Sequence, residues 1–217
     1  MQRRRTAILT TALLLVAGCS DESDGVLGDG VDSEALQEAF EAEAEAAYED
    51  ADADRTEEFD RGVRIEEGCF ALDDEGAAAV VEALGLDGDD AEVTDSGFLQ
   101  GPPRTREVLT CNVEVGEDAH FGVSVGTTTL DRDEVLDLQE VAAGRGSLDL
   151  EVLDGDAPGL PADQVFGVDR EGFALFGWTD GDMQASLSFT DELADFDRGF
   201  DALPVLLGEM ARTLTAD

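Results

Sequence analysis

Residues 173–190 read FALFGWTDGDMQASLSFT, and their period is two. Met183, Ala185, Leu187 and Phe189 alternate with Gln184, Ser186 and Ser188, which is the signature of a half-buried strand. Asp180-Gly181 is the residue pair that a two-residue type I′ turn favours, so the segment predicts a β-hairpin. Pairing across that turn sets Trp178 opposite Met183, Phe176 opposite Ala185 and Ala174 opposite Leu187, with Phe189 on the same face. The other face takes Gln184, Ser186 and Ser188, but also Phe173 and Leu175. Two apolar side chains on an otherwise polar face either line a ligand groove or lie beneath a helix.

More elements follow from the same rules. Leu109, Cys111, Val113 and Val115 alternate with Thr110, Asn112 and Glu114, and Phe121, Val123 and Val125 share one face of a second strand. Asp73 or Asp74 caps a helix through Ala77, Val80, Val81 and Leu84, with Gly85 as its stop. Asp131 and Glu134 form a capping-box pair, with Leu130 and Val135 at staple spacing, for a helix ending near Gly144. Phe196, Phe200, Leu203, Leu207, Met210 and Leu214 form a final helical stripe. Pro204 belongs in a first helical turn, which puts the start near Asp201. The order helix, strands, helix, strands, helix predicts an α+β domain over 69–217: a mainly antiparallel sheet packed by helices. Upstream, Leu36, Phe40, Ala44, Ala47, Tyr48 and Ala51 recur at helical spacing. That helix either docks by Phe40 and Tyr48 or frays.

Charge limits the partners. The 217 residues hold 53 acids against 13 basic residues, all arginine, for a net charge of −40. Such a surface excludes nucleic acid, which needs clustered cations, and is not drawn to anionic lipid by charge. A hydrophobic content of 42% argues for a folded core. The single His excludes any site that needs two.

The amino terminus carries an address. Arg3, Arg4 and Arg5 precede an apolar run from Thr6 to Ala17, the length of a signal-peptide core and too short to span a bilayer. The run closes on Val16-Ala17-Gly18-Cys19, which resembles the lipobox of bacterial lipoproteins. The resemblance implies a signal peptide over 1–18, with Cys19 lipidated as the first mature residue. Residues 19–68 then comprise the lipidated cysteine, an acidic tether and the amphipathic helix. Two acyl chains on Cys19 give a stable membrane anchor on the extracytoplasmic face. The mature chain keeps all 53 acids and ten arginines, a net −43.

Two cysteines remain, Cys69 and Cys111. Export places them in an oxidising compartment, where they are expected to form one disulfide. A thiolate nucleophile needs a positive neighbourhood and zinc needs four ligands, and the composition offers neither. A lipobox, a tether, then Cys69-Phe70-Ala71-Leu72-Asp73-Asp74-Glu75-Gly76-Ala77-Ala78 ahead of a helix, a second cysteine in a strand pair and a final strand and helix resemble the actinobacterial cell-envelope lipoproteins of unknown function, of the mycobacterial type. The resemblance implies a surface-anchored, disulfide-bonded α+β domain and no particular activity.

Other motifs carry little. Gly122-Val123-Ser124-Val125-Gly126 matches a nucleophile elbow, but Ser124 falls inside an alternating strand. His120 precedes Ser124 by four residues, about 13 Å along a strand. Asp87, Asp89, Asp90 and Asp95, and Asp50, Asp52 and Asp54, lack the glycine and glutamate positions of an EF-hand loop. Paired carboxylates are uninformative where every fourth mature residue is acidic. No catalytic residue, metal ligand or cofactor is therefore assigned. The expectation is a non-enzymatic binding or accessory module of the envelope, with a cationic or other envelope partner. The alternatives are a carboxylate-dependent hydrolase and a carrier of an apolar ligand held beside Phe173 and Leu175.

Overall fold

The computed structural model describes residues 32–50, 62–65, 68–100, 105–116, 119–146 and 149–215. Cys19 and the segments read as signal peptide and tether lie outside the described residues, as do Ala51, Asp52 and Asp54 and the side chains of Tyr48 and Asp50. The described elements are α1 (Ser33–Asp50), β1 (Gly62–Ile65), α2 (Asp74–Ala83), β2 (Ala91–Gln100), β3 (Thr105–Val115), β4 (Ala119–Thr128), α3 (Arg132–Gly146), β5 (Glu151–Leu153), β6 (Val165–Arg170), β7 (Phe173–Thr179), β8 (Met183–Thr190) and α4 (Asp197–Leu214). The strands make one antiparallel sheet in the order β1-β2-β3-β4-β8-β7-β6-β5. It is two four-stranded meanders joined where β4 pairs with β8, Val123 opposite Leu187 and Val125 opposite Ala185. The fold is α+β, with an antiparallel sheet packed by helices and a disulfide between Cys69 and Cys111.

One sheet face forms the core. Leu109, Cys111 and Val113, then Phe121, Val123 and Val125, then Leu187, Phe189, Phe176 and Trp178 are buried there in adjoining strands. Helix α2 covers β2, α4 covers β7 and β8, and α1 reaches β4 and α4. The caps read from sequence are in place. Asp73 accepts from the Gly76 amide at 2.8 Å, and Gly85, at φ +83°, follows the last turn of α2. Asp131 and Glu134 bond each other's backbone amides reciprocally, and Leu130 packs with Val135.

Three expectations change. First, of the two outcomes left open for the upstream helix, docking holds, so the folded unit begins before residue 69: Leu36, Phe40 and Ala44 of α1 are buried, and the Phe40 ring sits 5.7 Å from that of Phe70. Strand β1 also lies upstream of Cys69 and pairs with β2. Elements upstream of the expected 69–217 domain, α1 and β1, thus belong to the folded unit.

Second, the hairpin register is two residues from that expected. Trp178 faces Ala185, Phe176 faces Leu187 and Ala174 faces Phe189. The central turn residues are Gly181 and Asp182, since the Asp180 amide donates to the Met183 carbonyl at 3.3 Å. Gly181 alone takes a positive φ there, +97°, the pattern of a type II′ turn with glycine first. The Asp180 carboxylate fixes it by accepting from the amides of Asp182 and Met183 at 3.0 and 2.9 Å. An even slip preserves which side chains share a face, so the apolar set stays together.

Third, α4 starts at Asp197, four residues before the expected start, and holds Pro204 in its interior. Packing outweighs the proline cost of about 3 kcal/mol. The extra turn buries Gly199 and Phe200, whose ring meets Phe176 edge-on at a centroid distance of 5.0 Å. Gly199 is required at this contact: a Cβ there would lie 2.3 Å from the Phe176 ring.

Candidate functional site

The other sheet face differs from the rest of the molecule. Acids and arginines punctuate most of the chain, yet β4, β7 and β8 contain none between them. These strands are neighbours at the centre of the sheet. On the core side their side chains are the buried apolar ones. On the reverse side, register places Gly177, Ser186, Ser124 and Thr110 in one row and Leu175, Ser188, Gly122 and Asn112 in the next. The hydroxyls of Thr110 and Ser124 lie 3.3 Å apart, and Ser188 donates to the Gly122 carbonyl at 3.3 Å. The result is a half-buried, uncharged surface of small hydroxyl-bearing side chains on a very acidic protein. Self-repulsion among carboxylates favours dispersing them over any solvated face, so their exclusion from this one is informative.

Helix α3 borders this face by packing on β6. Leu130, Val135 and Phe166 are buried beneath it, with Leu136 and Leu175 against them. Phe166 uses the absence of a side chain at Gly177, where a Cβ would stand 2.2 Å from its ring. Arg132, at the start of α3, donates through Nε to the Val165 carbonyl at 2.6 Å and satisfies an acceptor beyond the reach of the short edge strand β5. Arg170, at the end of β6, donates through Nη2 to Gln139 Oε1 on α3. In the register it faces Phe173, which is 43% exposed. Leu138 on α3 is exposed as well.

The residues singled out from sequence fall as follows. Phe173 and Leu175 share a face but have different surroundings: Leu175 lies against the cluster under α3, while Phe173 opens to solvent beside Arg170. Ser124 lies in the middle of β4, not at a strand-to-helix elbow, and exposed His120 sits four residues earlier in the same strand. The glycines of that motif have structural reasons. A Cβ at Gly126 would meet the Glu107 carbonyl at 2.0 Å beside a bulge in β3, and one at Gly122 would meet Ser188 Oγ at 2.9 Å. Of the aspartates between β2 and its preceding turn, Asp87 caps the Asp89 amide at 3.1 Å and Asp95 accepts from Asn112 at 2.6 Å. Among the described residues no group of three His, Cys, Asp or Glu is placed to hold a metal ion. Arg170 was not singled out from sequence. The stretches 119–128, 173–179 and 183–190 do announce the uncharged face, because each lacks Asp, Glu, Arg and Lys.

Two pairings stabilise the opposite side. Cys111, fully buried on β3, is joined to Cys69 with a Cα–Cα distance of 5.8 Å, and Ser96 opposite Cys111 donates to the Gly68 carbonyl at 2.8 Å. The loop between the cysteines therefore closes on the sheet at both ends. Arg212 of α4 binds Asp73 at 2.5 Å and Glu209 at 2.6 Å, linking α4 to the cap of α2. The Arg212 hydrogen bond outweighs the opposing effect of burial and, helped by the Gly76 amide, holds the Asp73 carboxyl below the ordinary carboxylate range. That is the direction of a structural carboxylate, opposite to that of a general acid.

No helix among the described residues is long and apolar enough to cross a membrane. No family model matches the chain, and no curated protein matches it. Among solved structures, a GTP binding regulator from Thermotoga maritima aligns with 69% of this chain and 93% of its own length, at 12% identity and a TM-score of 0.31.

Proposed function

We propose that this chain is a lipid-anchored binding module on the extracytoplasmic face of the cell membrane, of the general kind found among the actinobacterial envelope lipoproteins it resembles. The observation that carries the proposal is Val16-Ala17-Gly18-Cys19 at the end of an arginine-headed apolar run. The buried Cys69–Cys111 disulfide supports it, since such bonds persist outside the cytoplasm. The uncharged face of β4, β8 and β7 supports the binding role, because it is the part of the sheet whose composition solvation alone does not explain. The module is non-enzymatic in this proposal: Ser124 and His120 are in a geometry unsuited to nucleophilic attack, and Asp73 is tied to a cap. Replacing Cys19 with Ala tests the anchor. The wild-type chain is expected in the membrane fraction, resistant to high salt, and C19A in the soluble or uncleaved pool. Equal membrane retention of the two would sink the proposal.

A further inference from the structure

We infer that Arg170 and the surfaces beside it form a site for a monoanionic amphiphile, a carboxylate on an alkyl chain. The inference rests on the chain being a binding module and adds the ligand class. It starts from charge pairing. Among the described residues, Arg132 pairs with Asp133, Arg198 with Asp201, and Arg212 with Asp73 and Glu209. Among the described residues Arg170 has no carboxylate within 4.0 Å and meets the neutral amide of Gln139, while its buried Nε has no hydrogen-bond partner there. An arginine without a counter-ion is anomalous in a chain with four acids for every arginine. A guanidinium has the fork geometry that a carboxylate matches with two parallel hydrogen bonds.

The neighbourhood specifies the rest of the ligand. Phe173 lies opposite Arg170 in the register and is exposed, Leu175 follows on the same face, and Leu138 projects from the helix that holds Gln139. Phe173 and Leu175 belong to β7, which with its neighbour β8 contains no carboxylate to repel an anion. Asp169 and Glu171 flank Arg170 in the chain, and Asp137 and Glu140 flank the Leu138-Gln139 pair on α3, whereas acids beyond a Debye length of about 8 Å are largely screened. They still penalise multiply charged ligands more than singly charged ones, so a carboxylate is favoured over a phosphate dianion. The same long-range field opposes adsorption to an anionic bilayer, so the ligand is a free amphiphile and not a membrane surface.

Native mass spectrometry of the full chain, released from non-ionic detergent and titrated with decanoate and separately with decanol, tests this. The expected result is one decanoate per chain, with decanol at least about tenfold weaker, the factor equivalent to about 1.4 kcal/mol. R170Q should lose decanoate binding by a similar factor, R170K should fall between, and F173S, a change at an exposed position, should weaken it about threefold. Thermal midpoints confirm that each variant is folded; should R170Q fail to fold, F173S and the decanol comparison decide. The assignment is overturned if decanol binds as tightly as decanoate, if a folded R170Q binds decanoate like wild type, or if the chain adsorbs to phosphatidylglycerol vesicles and ignores decanoate. A chain that carries lipid on Cys19 yet ignores decanoate would refute this ligand class and leave the anchored module standing.

Discussion

Opening the Cys69–Cys111 bond should cost this domain a large part of its stability. The two cysteines are 42 residues apart, and closing a loop of that length removes unfolded-state entropy worth about 4 kcal/mol at 25 °C. Single domains have only about 5–15 kcal/mol in total. The charge makes this margin narrower: residues 69–217 hold 34 acids against seven arginines, a net −27 that opposes compaction. A C69A/C111A variant should therefore melt about 8–16 °C below wild type, taking about 2–4 °C per kcal/mol for a domain of this size. The assay is direct, because the one tryptophan, Trp178, is buried and bonded to Gln164 at 3.0 Å. Its emission should shift to the red on urea unfolding, and a moderate rise in the slope of stability against urea should accompany the more expanded unfolded chain. Wild type treated with a phosphine reductant should match the variant. A loss under about 1 kcal/mol in both would refute the chain-entropy reasoning and show that the reduced unfolded state is already constrained.

Three further outcomes are expected. Phe40→Ala should destabilise the chain by about 3–5 kcal/mol in the same titration, because Phe40 is fully buried between α1 and the rest of the core; a change within about 0.5 kcal/mol would place α1 outside the cooperative unit. Gly199→Ala should lower the melting point despite a helix-propensity gain of up to about 1 kcal/mol, since the new Cβ would stand 2.3 Å from the Phe176 ring; a higher melting point would mean that the aromatic cluster yields. Asp73 is held below its unfolded value by Arg212, so its contribution is complete above about pH 4 and is lost as pH falls through the folded value. The stability gap between wild type and Arg212→Gln should thus stay level from pH 7 to 5 and close below about pH 4, and a gap that widened on acidification would reverse the assigned sign.

The local rules were legible wherever a side chain bonds its own neighbourhood. Asp73, the Asp131–Glu134 box and the Leu130–Val135 staple act within a few residues, and each is placed by sequence. The α4 stripe from Phe196 to Leu214 is also legible as a face, because 3.6-residue periodicity records burial directly. Its start is not, since that depends on Phe176 reaching Gly199 from a distant strand. The hairpin turn lies one residue beyond the expected pair because Asp180-Gly181 and Gly181-Asp182 are both acceptable turn pairs, and the Asp180 carboxylate decides between them. Helix α1 is locally ambiguous: an acidic stretch with a narrow stripe reads as tether or core depending on partners its own residues do not reveal. The site divides similarly. The absence of charge from three strands is written in the sequence, but that those strands lie side by side follows from β4 pairing with β8, across 66 residues between Gly122 and Ser188. Arg170 is one arginine among 13, and its lack of a carboxylate is visible only in three dimensions.

The anchor can be read from one mass. Protein extracted from the membranes of its own cells, digested and examined by mass spectrometry, should yield an amino-terminal peptide that begins at Cys19 and carries a diacylglyceryl thioether. A peptide that begins elsewhere, or an unmodified Cys19 thiol at the mature terminus, would contradict the assignment of this chain as a lipid-held module of the envelope.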